Sequence, residues 1–140
     1  MIYMEHLNLV VNDIPSQLSF YGAAFPHWRL RGGGEGEWSG KPRTWVHFGD
    51  QQHYLAFSDH GEGSNRDNSG FSIGMAHLAY VVTDLDGLIT RMEKAGYKVE
   101  SIGDGGKYRR NAYYVDPSGY EVEFIEYFSD LPEHRNDYNE

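Results

Sequence analysis

The sequence predicts an α+β fold made of two βαβββ repeats, whose strands form a curved mixed sheet around a cavity with the helices on the outer face. The first observation is an internal repeat. Residues 6–14 read HLNLVVNDI and residues 77–85 read HLAYVVTDL, in the same register. The second observation is that a helical pattern follows each copy, and short strand-like runs follow each helix. One supersecondary unit used twice therefore accounts for most of the 140 residues.

The first repeat covers about residues 1–58. Apolar and polar residues alternate over residues 3–11, which predicts a strand. Asp13 is a candidate helix cap, and Pro15 fits a first helical turn because its missing N–H would have no partner there. Apolar residues then recur at helical spacing as far as Pro26. Three short strands complete the repeat, at residues 27–31, 44–48 and 52–58.

Turns and loops separate these strands. Gly49-Asp50 predicts a hairpin turn between the last two strands of the first repeat. Residues 32–42 are rich in glycine, but their spacing matches neither a Walker motif nor a dinucleotide fingerprint, so we predict a flexible connector. Residues 59–72 form a longer polar loop between the repeats, and long loops in compact domains often border a functional site.

The second repeat covers about residues 75–128 and keeps the same order of elements. A strand is predicted over residues 76–83, and Asp84 can cap an amphipathic helix that ends at Gly96. The sequence Asp116-Pro117-Ser118-Gly119 is a strong turn signal, with proline and glycine in favoured places. Three strands follow the helix, at residues 97–102, 111–115 and 120–127.

Composition limits the class of protein. We place one domain at residues 1–128, followed by a polar tail over residues 129–140 that we expect to be loosely held. The net charge of −9 argues against a nucleic-acid partner, whose phosphates attract basic patches. No apolar run approaches the ~20 residues that span a bilayer, and the N-terminus lacks the pattern of a signal peptide. The absence of cysteine excludes disulfides and thiolate sites, and it fits a cytoplasmic protein.

Strand alternation places three possible metal ligands on one side of the predicted sheet. The large apolar residues of each first strand fall on the face opposite His6 and His77, so they should pack under the helices and leave both imidazoles on the concave side. Glu123 alternates in the same way with two apolar neighbours in the last strand. Two imidazoles and a carboxylate are a plausible set of ligands for a divalent metal ion. A single histidine in a strand is more often a hydrogen-bonded or exposed residue than a ligand, and a glutamate beside a turn is usually solvated. The equivalent positions of His6 and His77 in the two repeats favour the ligand interpretation.

Lys107, Arg109 and Arg110 form a basic patch in an otherwise acidic chain. The patch is consistent with a solvated surface run, or with a site that attracts an anionic substrate to the mouth of the cavity.

The chain resembles the vicinal oxygen chelate superfamily, which includes glyoxalase I, extradiol dioxygenases, fosfomycin-resistance thiol transferases and bleomycin-binding proteins. The resemblance covers about residues 1–128 and rests on the doubled unit, on the histidine at the start of each copy and on the DPSGYEVEF stretch at residues 116–124. It implies that His6, His77 and Glu123 lie at positions that bind a divalent metal ion in metal-dependent members. The general base is not identified, and neither is the metal.

Glyoxalase I supplies a fourth protein ligand from the strand that corresponds to residues 52–58. The matching position here is Leu55 or Ala56, both apolar, and His53 is an alternative if the register differs. The set of His6, His77 and Glu123 therefore resembles the fosfomycin-resistance enzymes and dioxygenases more than glyoxalase I.

The resemblance implies a metal-dependent enzyme that acts on a small molecule chelated through vicinal oxygens. Lyase or isomerase chemistry is the first expectation, and dioxygenase or thiol transferase chemistry the next. The alternative is a non-catalytic protein that binds a small molecule or an antibiotic, as bleomycin-resistance proteins do. The resemblance also implies a homodimer.

Overall fold

The computed structural model describes residues 1–104 and 106–139. The chain divides into two compact units, Met1–Ser64 and Asn65–Glu140, and each unit contains one copy of the repeated stretch. Each unit forms its own four-stranded mixed sheet. The α+β class and the two βαβββ repeats are therefore confirmed. The strands form two open sheets, one for each repeat, because strand pairing is completed within each repeat.

Unit 1 contains β1 (His6–Val10), α1 (Ile14–Ala24), β2 (Arg29–Trp38), β3 (Lys41–Gly49) and β4 (Tyr54–Ser58). The strands lie in the order β1-β4-β3-β2, with β1 parallel to β4 and the other pairs antiparallel. The helix packs against β3 and β4. Phe20, Tyr21 and Phe57 are fully buried, and the ring of Tyr21 stacks on that of Phe57 at 5.7 Å.

Two local predictions in unit 1 are confirmed. Asp13 caps α1 by accepting a hydrogen bond from the amide of Ser16 at 3.0 Å. Asp50 forms the turn between β3 and β4, and its Oδ1 accepts hydrogen bonds from the amides of Gln52 and His53, both at 2.8 Å. Short polar side chains thus satisfy the backbone donors that a helix start and a tight turn leave without partners.

The prediction of a flexible connector over residues 32–42 is wrong, because this segment is part of a β-hairpin. β2 pairs with β3 along its length, and the chain turns at Ser39 and Gly40, whose φ angles are +50° and +84°. A Cβ on Gly34 would lie 3.3 Å from the indole ring of Trp45, so glycine allows the close approach. A strand of glycines shows no alternation of side chains, and the usual sequence signal for a strand is therefore missing.

Unit 2 contains β5 (Leu78–Val81), α2 (Leu85–Lys94), β6 (Ser101–Gly103), β7 (Arg109–Val115), β8 (Glu121–Tyr127) and the short α3 (Pro132–Arg135). The strand order β5-β8-β7-β6 repeats that of unit 1, with β5 parallel to β8. The helix α2 packs against β8. Within the described residues, no helix is long and apolar enough to cross a membrane.

The predicted helix ends and turn of unit 2 are confirmed. Asp84 caps α2 by accepting a hydrogen bond from the amide of Gly87 at 2.9 Å, and Gly96 follows the helix with a φ of +93°. Asp116 Oδ1 accepts a hydrogen bond from the amide of Ser118 at 2.9 Å and fixes the turn between β7 and β8. This turn determines which side chains of the two strands face each other.

The C-terminal tail makes contacts that its polar composition does not predict. The ring of His134 stacks on that of Tyr108 with centroids 3.9 Å apart. The guanidinium of Arg135 lies over the ring of Tyr127 at 4.4 Å. These contacts join the tail to Tyr108, which directly precedes β7, and to Tyr127 of β8. The loosely held tail stays a prediction.

Candidate metal centre

In unit 2 the apolar side chains and the candidate metal ligands lie on opposite faces of the sheet, as the alternation of apolar and polar residues in the sequence predicts. Val122 and Phe124 are fully buried beneath α2, whereas Glu123 points to the opposite face of β8. Leu78 of β5 is also buried, and His77 immediately precedes it. We call the surface that carries His77 and Glu123, away from α2, the site face of unit 2.

His77 and Glu123 meet on this face. The distance between His77 Nε2 and Glu123 Oε2 is 3.1 Å, and the other ring nitrogen, Nδ1, lies 3.8 Å from Glu121 Oε1. Two ligand atoms that are each about 2.1 Å from one ion, at right angles, lie about 3.0 Å apart. The separation is that of a direct hydrogen bond or ion pair, and it is also compatible with two neighbouring ligands of a single divalent ion.

Neighbouring side chains on β7 position the carboxylate. Asn111 Nδ2 donates a hydrogen bond to Glu123 Oε1 at 2.9 Å, which leaves Oε2 towards His77. Tyr113 lies opposite Glu123 in the strand register, and its ring meets the His77 ring edge to face at 5.7 Å. Burial, and then the charge of Glu123, raise the pKa of Tyr113, so its phenol stays protonated near neutral pH.

The side chains of Asn111 and Tyr113 were not singled out as site residues by the sequence. The signal is present but weak. Both alternate in β7 with the buried Ala112 and Tyr114, which assigns them to the face of Glu123 once the register is known. Without the pairing of β7 with β8, alternation alone does not say which residue faces the carboxylate.

In unit 1, His6 belongs to a cluster of rings on the sheet. His6 and His47 each stack on Tyr54, with centroids 4.6 Å and 4.5 Å away, and the two imidazoles are 6.5 Å apart. The guanidinium of Arg31 lies 4.2 Å from the Tyr54 centroid, and Glu5 Oε1 lies 2.9 Å from His6 Nδ1. Burial, and then the neighbouring His6, lower the pKa of His47. His47 is thus a neutral imidazole beside His6 that sequence reasoning missed.

The strand registers identify the position in unit 1 that corresponds to Glu123. Ala79 of β5 lies opposite Glu123, and Asn8 of β1 lies opposite Ala56 in the equivalent parallel pair. Because His6 and His77 align in the repeat, Ala56 is the counterpart of Glu123 and offers no ligand atom. Alternation places His53 on the other face from Ala56, where its ring contacts Tyr3 at 5.9 Å.

The structure thus brings two of the three sequence-predicted ligands together within unit 2 and places His6 in unit 1. Across residues 1–104 and 106–139, no group of three or more His, Cys, Asp or Glu side chains is arranged to hold a metal ion.

The two arginines of the predicted basic patch lie on opposite faces of the sheet of unit 2. Arg110 pairs with Asp86 and Glu126 on the α2 side of the sheet, whereas Arg109 lies on the site face.

Residues 3–124 match the family model for the glyoxalase/bleomycin resistance protein/dioxygenase superfamily. The chain belongs to this superfamily. The match spans both repeats and includes His6, His77 and Glu123.

Solved structures of superfamily proteins share this fold. A glyoxylase/bleomycin resistance protein/dioxygenase domain from Frankia sp. EAN1pec is similar with a TM-score of 0.75 and 19% identity, covering 98% of this chain and 99% of that chain. A mutant fosfomycin resistance protein, FosX, from Listeria monocytogenes, complexed with Mn(II) and 1S,2S-dihydroxypropylphosphonic acid, gives a TM-score of 0.71 and 16% identity, covering 98% and 100%. A lactoylglutathione lyase from Agrobacterium tumefaciens gives 0.61 and 22%, covering 89% and 92%. The comparison with curated proteins gives no match.

Proposed function

We propose that this superfamily member is a metal-dependent enzyme acting on a small molecule that binds the ion through vicinal oxygens. His77 and Glu123 are the proposed ligands of a divalent ion, and His6 is the third. Lyase or isomerase chemistry is the first choice of reaction, with dioxygenase or thiol transferase chemistry next. The observation that carries the proposal is the His77 Nε2–Glu123 Oε2 distance of 3.1 Å on one face of unit 2.

Neighbouring side chains on this face contact the proposed ligands His77 and Glu123. Asn111 holds one carboxylate oxygen of Glu123, and Glu121 lies beside the outer nitrogen of His77. Tyr113 keeps its proton and donates it in a hydrogen bond to the Glu123 carboxylate. A bound divalent ion would supply Lewis-acid stabilisation of a developing oxyanion. With three protein ligands, coordination positions remain for substrate oxygens.

Two of the structural relatives support this chemistry. The Listeria monocytogenes FosX structure holds Mn(II) with a dihydroxypropylphosphonic acid, and the Agrobacterium tumefaciens protein is a lactoylglutathione lyase. A vicinal diol and a divalent ion in one member of the fold are consistent with the proposed substrate class. The nature of the metal ion is left open, since nitrogen and oxygen ligands suit several first-row divalent ions.

Metal binding tests the proposal before any substrate is known. Mn²⁺ is titrated into chelator-treated protein by calorimetry, and the native chain is compared with His77→Ala and with His27→Ala as the matched control. His27 is an exposed histidine whose Nε2 lies 3.9 Å from Asp50. We expect His77→Ala to lose at least tenfold in affinity and His27→Ala to keep the native value. Equal affinity in all three proteins would contradict the proposal.

A non-catalytic binding protein is the second candidate. It is favoured by Ala56, which removes the ligand atom from the unit 1 counterpart of Glu123, and by the stacked rings of His6, Tyr54 and His47, which suit a flat ligand. A chain that binds no divalent ion in the titration, yet shows saturable binding of an aromatic compound, would favour this candidate over the enzyme.

We further propose that the protein acts as a homodimer in the cytoplasm. Large apolar side chains that are almost fully exposed support self-association, namely those of Met1, Ile2, Phe71 and Ile73. Light scattering at micromolar concentration should give twice the chain mass of 16.0 kDa. A monomeric mass would contradict the dimer without affecting the metal site.

A further inference from the structure

Glu5 directly precedes the proposed ligand His6, and its carboxylate contacts the imidazole ring. Glu5 Oε1 lies 2.9 Å from His6 Nδ1, which is the distance of a hydrogen bond. An ionised carboxylate has no hydrogen to donate, so Nδ1–H of the imidazole is the donor. A neutral imidazole with its hydrogen on Nδ1 keeps its lone pair on Nε2. Nε2 is therefore the nitrogen of His6 that can bind a metal ion.

Tyr54 of β4 fixes the position of the Glu5 carboxylate. The Tyr54 hydroxyl donates a hydrogen bond to the same Oε1 atom at 3.3 Å, and the Tyr54 amide donates one to the backbone oxygen of Glu5 at 3.1 Å. Tyr54 is buried and lies opposite His6 in the β1–β4 register. Both the backbone and the side chain of Glu5 are thus attached to a buried residue of the sheet, although the carboxylate is partly exposed.

The same tyrosine restricts the plane of the His6 ring. The two rings stack with centroids 4.6 Å apart and an angle of 13° between their planes. Stacking alone allows two orientations of an imidazole, related by a half turn about the Cβ–Cγ bond, because both keep the ring in the same plane. The hydrogen bond to Glu5 selects the orientation in which Nδ1 faces the carboxylate.

The equivalent histidine of unit 2 is held differently. The residue before His77 is Ala76, which has no carboxylate. His77 Nδ1 lies 3.8 Å from Glu121 Oε1, too far for a hydrogen bond, whereas His77 Nε2 lies 3.1 Å from Glu123 Oε2. The nitrogen that meets a carboxylate is thus Nε2 in unit 2 and Nδ1 in unit 1. The repeat does not account for this difference.

We propose that Glu5 is a positioning residue, which holds His6 in the tautomer with its hydrogen on Nδ1 and keeps the Nε2 lone pair available to a metal ion. This inference rests on the proposed function, in which His6 is the third ligand. It adds a residue that contacts a ligand without binding the ion itself. A carboxylate bonded to the other ring nitrogen of a histidine ligand fixes the ring orientation and makes the ligand nitrogen more basic.

Nitrogen NMR of the metal-free protein tests the tautomer. At about pH 8.5 an ordinary imidazole is neutral, and the shifts of its two ring nitrogens differ according to which one carries the hydrogen. The His6 signals are assigned by their loss in His6→Gln. The variants are Glu5→Ala, Glu5→Gln and the matched control Glu37→Ala, which removes the same charge from an exposed position of β2 in the same unit. The amide spectrum of each variant checks that the fold is retained.

We expect the native chain and Glu37→Ala to carry the His6 hydrogen on Nδ1, and Glu5→Ala to give a mixture of tautomers with averaged nitrogen shifts. Glu5→Gln should recover part of the native signature, because its amide oxygen still accepts a hydrogen bond. In calorimetric titrations with Mn²⁺, Glu5→Ala should bind at least about tenfold more weakly than Glu37→Ala, as expected when a partner that orients a ligand is lost.

Three results would overturn the inference: a native His6 with its hydrogen on Nε2, the same His6 tautomer in Glu5→Ala and Glu37→Ala, or equal Mn²⁺ affinities of these two variants. If the native chain binds no Mn²⁺, the proposed function fails, and the NMR comparison alone decides the role of Glu5. A changed tautomer in Glu5→Ala then supports the positioning of His6 by Glu5, and an unchanged tautomer refutes it.

Discussion

Replacing Asn111 with leucine tests whether a side chain of β7 positions the carboxylate of Glu123. The substitution keeps the number and branching of the side-chain heavy atoms and removes the 2.9 Å hydrogen bond from Asn111 Nδ2 to Glu123 Oε1. A hydrogen bond to a charged group contributes about 1.5–3 kcal/mol. That free energy corresponds to about a tenfold to 150-fold change in an equilibrium constant. Loss of a residue that orients a metal ligand costs about 10–100-fold in metal affinity, which agrees with this range.

The assay is calorimetric titration of Mn²⁺ into the metal-free protein. Asn136→Leu is the matched control, because the amide of Asn136 is also a hydrogen-bond donor, to the carbonyl oxygen of Pro132 at 2.7 Å, but lies in the exposed tail. Denaturant unfolding of each variant checks that the fold is retained. We expect Asn111→Leu to bind Mn²⁺ at least tenfold more weakly than Asn136→Leu. Equal affinities in two folded variants would refute the claim that Asn111 positions a metal ligand.

Three further variants test the Asn111 contact, the core of unit 1 and the turn between β3 and β4. Gly103→Ala should weaken Mn²⁺ binding in the same titration, because a Cβ at this position collides with Oδ1 of Asn111; native affinity would contradict the coupling. Leu55→Ala should lower the free energy of unfolding by about 2–5 kcal/mol in urea, since Leu55 is 1% exposed, and a change below 1 kcal/mol would argue against its burial. Burial alone would raise the pKa of Asp50, but amide hydrogen bonds outweigh it and lower that pKa. The stability that Asp50 adds is therefore present above about pH 4 and lost as pH falls, so the difference in unfolding free energy from Asp50→Ala should shrink from pH 7 to pH 3, and a constant difference would contradict this.

The repeat made the fold predictable from the sequence. Two copies of the HL–VV–D pattern give the same strand and helix start twice, and Asp13 and Asp84 cap both helices as expected. Where polar residues alternate with apolar residues that are buried beneath a helix, as Glu123 does with Val122 and Phe124, the face was also predictable. The β2 strand was not, because its glycines carry no side chains to show a period of two.

The site was predictable only in part, since contacts across strands depend on register. His77 and Glu123 are 46 positions apart in the chain, and the parallel pairing of β5 with β8 within the second repeat brings them together. Asn111, Tyr113 and His47 needed the observed pairings of β7 with β8 and of β3 with β4. A one-residue shift in either register would have placed them on the helix side.

Diffraction from crystals grown with Mn²⁺ or Co²⁺, recorded at the absorption edge of the metal, would locate the ion. We expect one anomalous peak about 2.0–2.2 Å from His77 Nε2 and Glu123 Oε2, with His6 as the third protein ligand. A peak at other side chains, or no peak at His77 and Glu123 in metal-saturated crystals, would contradict it.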